Sequence, residues 1–281
     1  MKRLIYALML LLLTSQGAWA QTAAAMPSMA VSQQTITEYR NEIAAKVNKD
    51  PAKEIIFTDQ ELGEFIGYCE SIQLAHADIV ALLSVKVRKN WVNLKGMTAV
   101  ADVIAQQGRK NQIQFQEGFT FLTAYQRIQD SLLIGRTFLP AGYLDAGYLD
   151  TRIAAFEGGA SYLLTTTNYQ KYVQGKPFAG FPDGQFVAPP SVISQVLETA
   201  NGDIASIEQQ LGIPAGAWQG KGGIYRIDVA DAVKLQLRLP NGGEMGANEF
   251  WIPGGYTSGG VAEGFVNQIP LAAYTATQVV K

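Results

Sequence analysis

The 281-residue chain reads as an α+β protein: an N-terminal helical region precedes a small, mostly antiparallel sheet domain with two short capped helices. Three observations lead there. Residues 1–150 hold 9 of the 28 glycines and 3 of the 11 prolines, so turn-forming residues concentrate in 151–281. Apolar side chains before position 135 recur at helical spacing. After position 160 they fall instead in short alternating runs bounded by turn residues.

The first twenty residues have the layout of a secretory signal. Met1-Lys2-Arg3 is followed by an apolar stretch from Leu4 to Leu13 and by the small-x-small triplet Ala18-Trp19-Ala20. That stretch is well short of the roughly 20 residues a bilayer span requires. The expectation is an exported chain, periplasmic or secreted, with 21–34 as a flexible tether and no membrane span. A helical region over 35–150 and an α+β region over 151–281 complete the division.

Within 35–150 a first helix is expected over 36–47. Thr58 followed by Glu61 is a capping-box pattern, with Leu62, Phe65, Ile66 and Cys69 at helical spacing behind it. Residues 77–90 and 97–107 read as further helix. A stripe from Ile113 through Phe115, Phe119, Leu122, Tyr125 and Ile128 to Leu132 predicts helix over 111–134. The doubled Ala-Gly-Tyr-Leu-Asp of 141–150 is an amphipathic connector running on to 156.

In the second region 160–164 is a strand, 169–173 a short helix, and Pro182-Asp183-Gly184 a turn into a strand over 185–187. Ser191 is expected to cap a helix ending before Gly202, and Asp203 to cap a second over 204–211. Strands are expected over 224–229 and 235–239, a short β-prone piece over 250–252, and a last strand over 261–269.

Composition removes several function classes. The chain has 22 basic and 24 acidic residues, and removal of the expected signal takes away Lys2 and Arg3 but no acid. A mildly acidic protein lacks the attraction that phosphate backbones require, so no nucleic-acid partner is expected. One cysteine, Cys69, and one histidine, His76, exclude an internal disulfide, zinc sites built from cysteines or paired histidines, and a CxxC redox motif. Cys69 reads as a core residue. No cofactor is expected.

Chemistry is sought in the C-terminal region. Along 224–229 the side chains of Tyr225, Ile227 and Val229 share one face, leaving Ile224, Arg226 and Asp228 on the other. If 235–239 pairs beside it, Arg238 joins Arg226, and two planar guanidinium forks with a carboxylate suit an anionic ligand. The alternative is a solvated ion pair of little consequence. Residues 239–260 carry seven glycines in 22 positions, mixed with Glu244, Glu249, Phe250, Trp251 and Tyr256. Glycine-rich backbone can approach a ligand closely and its exposed N–H groups can cradle an anion, although no P-loop lysine follows. A long structural loop is the alternative.

Gly180-Phe181-Pro182-Asp183-Gly184-Gln185-Phe186 and Pro253-Gly254-Gly255-Tyr256-Thr257 resemble, in order, two motifs of the necrotizing-toxin family of NAD glycohydrolases. Residues 141–270 more broadly resemble C-terminal domains of bacterial polymorphic toxins. Gln185 and Ser258 stand where the necrotizing-toxin motifs have an arginine and a glutamine. Tyr225-Arg226-Ile227-Asp228, Tyr256-Thr257-Ser258 and Glu263 are also similar to the arginine, serine and glutamate segments of ADP-ribosyltransferases. Only four residues separate Ser258 from Glu263, where that class has tens.

The resemblance implies NAD as substrate rather than cofactor. Glu263, Glu249 or Glu244 would stabilise the developing positive charge. Arg226, Arg238 and Ser258 would hold the nucleotide, with Trp251 and Tyr256 stacking on a ring. A small-molecule nucleotide is one expected partner. The other reading is a non-catalytic binding module that meets a protein partner through loop 241–260.

Overall fold

The computed structural model describes residues 31–281 apart from 49, 51–54, 56, 89–93, 95–96 and 111–112. An N-terminal helical region is followed by a mixed region of small antiparallel sheets and short helices. The expected signal segment 1–20 and most of the expected tether lie outside the described residues. The rest of that tether does not stay extended: Ser32 accepts from the Thr35 N–H and starts helix α1, Gln33–Val47.

Helix α2 is Asp59–Ser71, and Thr58 and Glu61 close the expected capping box on each other's backbone N–H. Its buried side is Leu62, Phe65, Ile66 and Cys69. Helix α3, His76–Arg88, is buried from Ile79 to Val87, as a helix apolar on every side must be. Helices α4, Met97–Lys110, and α5, Phe121–Leu133, pack around it. Of the expected helix over 111–134, the described residues 113–120 are not helical and α5 starts at Phe121. Gly118 adopts φ +85°, Thr120 caps α5, and Phe115 forms a β-bridge with Leu144. An apolar stripe is satisfied there by extended chain packing on one core, which spacing alone cannot distinguish from helix.

Cys69 is buried, and burial pushes its thiol up to about 12, so it stays protonated as a core residue. His76 sits at the surface on the Glu42 carboxylate and against the Tyr39 ring. The doubled pentapeptide becomes a 3₁₀ turn, Pro140–Gly142, and helix α6, Ala146–Ala154, capped by Asp145.

The second region is built on a three-stranded sheet. Strand β1, Ala160–Thr165, pairs antiparallel with β4, Ile224–Val229, with Ser161 opposite Asp228 and Leu163 opposite Arg226. On its other side β4 pairs with β7, Tyr274–Val280, giving the order β1-β4-β7. Helix α7, Thr166–Tyr172, follows β1. Two small ladders complete the region: β2, Phe178–Ala179, with β6, Ile269–Pro270, and β3, Gln185–Val187, with β5, Gly264–Val266.

Helix α8 is Pro190–Ala200, preceded by Pro189 and started by proline at its first position; Ser191 lies inside it rather than capping it. Asp203 caps α9, Ile204–Gln210, as expected.

Two strand expectations are corrected. Residues 235–239 do not extend the sheet beside β4. A 3₁₀ turn, Val233–Leu235, redirects the chain so that Arg238 exchanges backbone hydrogen bonds with Phe265. The expected last strand over 261–269 is divided between β5 and β6, and the C-terminal tail, read as no element at all, supplies β7.

The capping box ties α2 to the helical core, and replacing Thr58 frees one helix N–H. Thr58→Ala is expected to lower unfolding free energy by about 1 kcal/mol in urea denaturation, with little change in m-value.

Candidate functional site

A cavity of about 290 Å³ lies between β1, β3, α8 and the loop connecting residue 239 to β5. Ser161 and Leu163 of β1, Phe186 and Ala188 in and after β3, and Ile193 of α8 form one side. Gly246, Asn248, Phe250 and Trp251 form the other, with Ser258 and Glu263 further along the same loop.

That loop has almost no ladder of its own, so side chains hold it. The Glu244 carboxylate accepts from the backbone N–H groups of Asn241 and Gly242, both at 2.8 Å. Asp183 accepts from Met245 N–H at 2.8 Å, clipping the 181–184 turn to the loop. Asn248 accepts from Phe250 N–H and donates to the Gly212 carbonyl. Thr257 donates to the Gln210 carbonyl and accepts from Val261 N–H. Such acceptors and donors replace the backbone pairing that irregular chain lacks.

The glycines serve close packing. A Cβ on Gly246 would come within 2.9 Å of the Phe186 ring, and one on Gly242, at φ +83°, within 2.6 Å of Trp251. Both positions press backbone against an aromatic that lines the cavity.

The two arginines do not converge here, and neither lines the cavity. Arg226 shares a sheet face with Asp228, as the alternation requires, but helix α8 covers that face. Its Nε donates to Asp228 at 2.7 Å, one Nη to Ser194 at 2.8 Å, and the other to Ser161 and the Pro190 carbonyl. Asp228 also accepts from the Ser161 hydroxyl. The guanidinium thus staples β4 to β1 and to the first turn of α8. Arg238 lies over the Phe265 ring, 4.6 Å from its centroid, and donates to Asn267 at 3.0 Å.

The other expected site residues also separate. Trp251, Ser258 and Glu263 line the cavity. Glu244 is buried under its own turn, and Glu249 is half-buried in the turn before Phe250; neither reaches the lining. Tyr256 packs outside it against Arg152, whose guanidinium carbon lies 3.9 Å from the ring centroid. Arg152 also donates to the Gly255 carbonyl at 2.9 Å, a tie to α6 that sequence reasoning missed. Phe181, Phe186 and Trp218 were missed as lining residues, although Phe181 and Phe186 flank the Pro-Asp-Gly turn already singled out.

Glu263 is the unusual group. Its Oε2 is buried and has no hydrogen-bond partner among the described residues, and the same holds for Trp251 Nε1. Burial, reinforced by the nearby Glu244 charge, pushes the Glu263 carboxyl up to about 8. It is therefore mainly protonated at neutral pH. The lining contains no lysine, arginine or histidine.

No protein-family model, no curated protein and no solved structure matches the chain. The descriptors signal peptide, secreted, periplasmic, toxin-like, NAD glycohydrolase and ADP-ribosyltransferase-like are left without support by this result and are withdrawn. Of that description the α+β fold stands. The geometry agrees, because a dinucleotide in this cavity would find no guanidinium for its diphosphate.

Two outcomes follow. Arg226→Lys replaces a fork holding four acceptors with a point charge. It should cost about 1–3 kcal/mol of stability in chemical denaturation while leaving the fold intact. The second concerns Glu263. An acid whose pKa is raised on folding adds stability below its unfolded value that is lost as pH rises through about 8. Wild-type melting temperature should therefore fall between about pH 5 and pH 9 by more than that of Glu263→Gln, measured by scanning calorimetry.

Proposed function

We propose that the C-terminal region is a ligand-binding module that holds a small organic molecule in the cavity between β3 and loop 239–263. One observation carries the reading: an acid with an unpartnered buried oxygen lines an otherwise largely apolar, aromatic-rich cavity. A buried polar atom without a partner costs free energy that a bound ligand can recover. The volume, about 290 Å³, is near the lower end of small-molecule sites, which start at roughly 300 Å³. Many lining positions are aliphatic or aromatic, giving a ligand an apolar seat, while Glu263 and Trp251 give it direction.

The glycine-rich loop functions in this reading as a wall rather than an anion cradle. Its backbone approaches Phe186 closely because position 246 carries no side chain.

Trp218 and Trp251 both line the cavity, so occupancy should change tryptophan emission. Titration with small aromatic compounds such as indole and 2-phenylethanol is expected to give saturable changes. Ala247→Phe, which fills the space from the loop side, should remove them with the circular dichroism spectrum unchanged. Wild-type protein that is folded yet shows no saturable change with any such compound would overturn the reading.

A further inference from the structure

We propose that the cavity selects an organic cation, an ammonium or amidinium on an aromatic or aliphatic body, held between the Glu263 carboxylate and the rings of Phe186, Phe250 and Trp251. The inference rests on the binding function proposed above and adds the chemical class of the ligand.

Charge complementarity carries it. Glu263 is the only acid in the lining, which has no basic side chain to oppose it. The arginines of this region are engaged outside the lining: Arg226 on Asp228, Ser194, Ser161 and Pro190, Arg238 on Phe265 and Asn267, and Arg152 on Tyr256 and the Gly255 carbonyl. A second carboxylate, Glu244, adds negative potential from behind the loop. An anion would therefore enter against the Glu244 charge behind the loop with no basic side chain in the lining to receive it. A neutral molecule would satisfy at most a hydrogen bond. A cation gains an ion pair in a water-poor site and the negative faces of the aromatic lining, a combination worth more there than in water.

The charge states balance. In the empty protein the carboxyl carries a proton, since burial and Glu244 both disfavour its ionised form. The other titratable lining residue, Tyr162, belongs to the apolar core with Ile227 and Val229, and burial holds its phenol above the usual range. A ligand cation beside Glu263 favours the carboxylate, so its proton leaves to solvent as the cation enters. No bond to the ligand forms or breaks.

Three probes of similar size test this on the full chain by isothermal titration calorimetry: phenethylamine as the cation, 2-phenylethanol as the neutral form and phenylacetate as the anion. Phenethylamine is expected to bind about ten-fold or more tighter than the alcohol, a difference of about 1.4 kcal/mol. Phenylacetate should bind weakest. Buffers of different ionisation enthalpy at neutral pH should report net proton release with the amine and none with the alcohol, a readout that needs no variant. Glu263→Gln should bring the amine down to the level of the alcohol while the alcohol still binds. Equal binding of amine and alcohol, or binding of the amine without proton release, would overturn the cation inference and leave the cavity reading standing. Failure of all three probes to bind folded protein would overturn both.

Discussion

Strand β4 is the constraint on which the C-terminal region depends. It pairs on both edges, with β1 and β7, so its backbone groups are satisfied by the sheet and its side chains divide strictly between two faces. Ile227 and Val229 go to one core with Tyr162, Phe156 and Val266. Ile224 goes to the other with Leu163, Ile193 and Val196 of the α8 side. A charged pair on the second face has to be accommodated beneath a helix. Arg226 achieves this by spending its donors on Asp228, two serines and a carbonyl. The position of α8, and with it one side of the cavity, follows from that set of bonds.

The opposite wall is held by a different device. Residues 239–263 are mostly buried or half-buried yet form almost no ladder, and side chains from inside or beside the loop fix its bends. Glu244, Asn248 and Thr257 bond backbone groups around themselves, Asp183 reaches in from the adjacent turn, and Tyr148 donates to the Gly254 carbonyl at 2.7 Å. Anchors distributed in this way make the cavity wall part of the folded body. They also explain why acids and amides are so frequent in a segment whose glycines alone resembled an anion-binding motif.

What could be read from sequence divides along the range of the interaction. The Thr58–Glu61 box, the Asp203 cap, the Pro-Asp-Gly turn and the alternation of 224–229 are local, and the chain carries them in adjacent residues. Residues 113–120 and 235–239 were misjudged because their apolar spacing fits several conformations. Pairing with Leu144 and with Phe265, far away in sequence, selects among them. The C-terminal strand escaped notice because β7 covers an edge with largely exposed side chains and so bears no core pattern. For the site, Trp251, Ser258 and Glu263 were singled out from their loop and do line the cavity. Arg226 and Arg238 were grouped by a strand pairing that does not form. Short motifs resembling toxin families carried no information on that pairing.

Two other glutamates of this region, Glu208 and Glu244, make the case for Glu263 by contrast. Glu208 accepts from the Gly216 and Trp218 backbone N–H groups, and Glu244 from those of Asn241 and Gly242. Each holds a turn, and each has the donors that a buried carboxylate requires. Glu263 has a buried oxygen with no donor, beside a second acid and within reach of a cavity. For stability alone, glutamine or an aliphatic residue would serve better at that position, because an unpaired ionisable group is costly to bury. A carboxyl placed so as to oppose folding, while Glu208 and Glu244 have their donors, is the pattern expected where a residue serves for what it contacts when the site is filled.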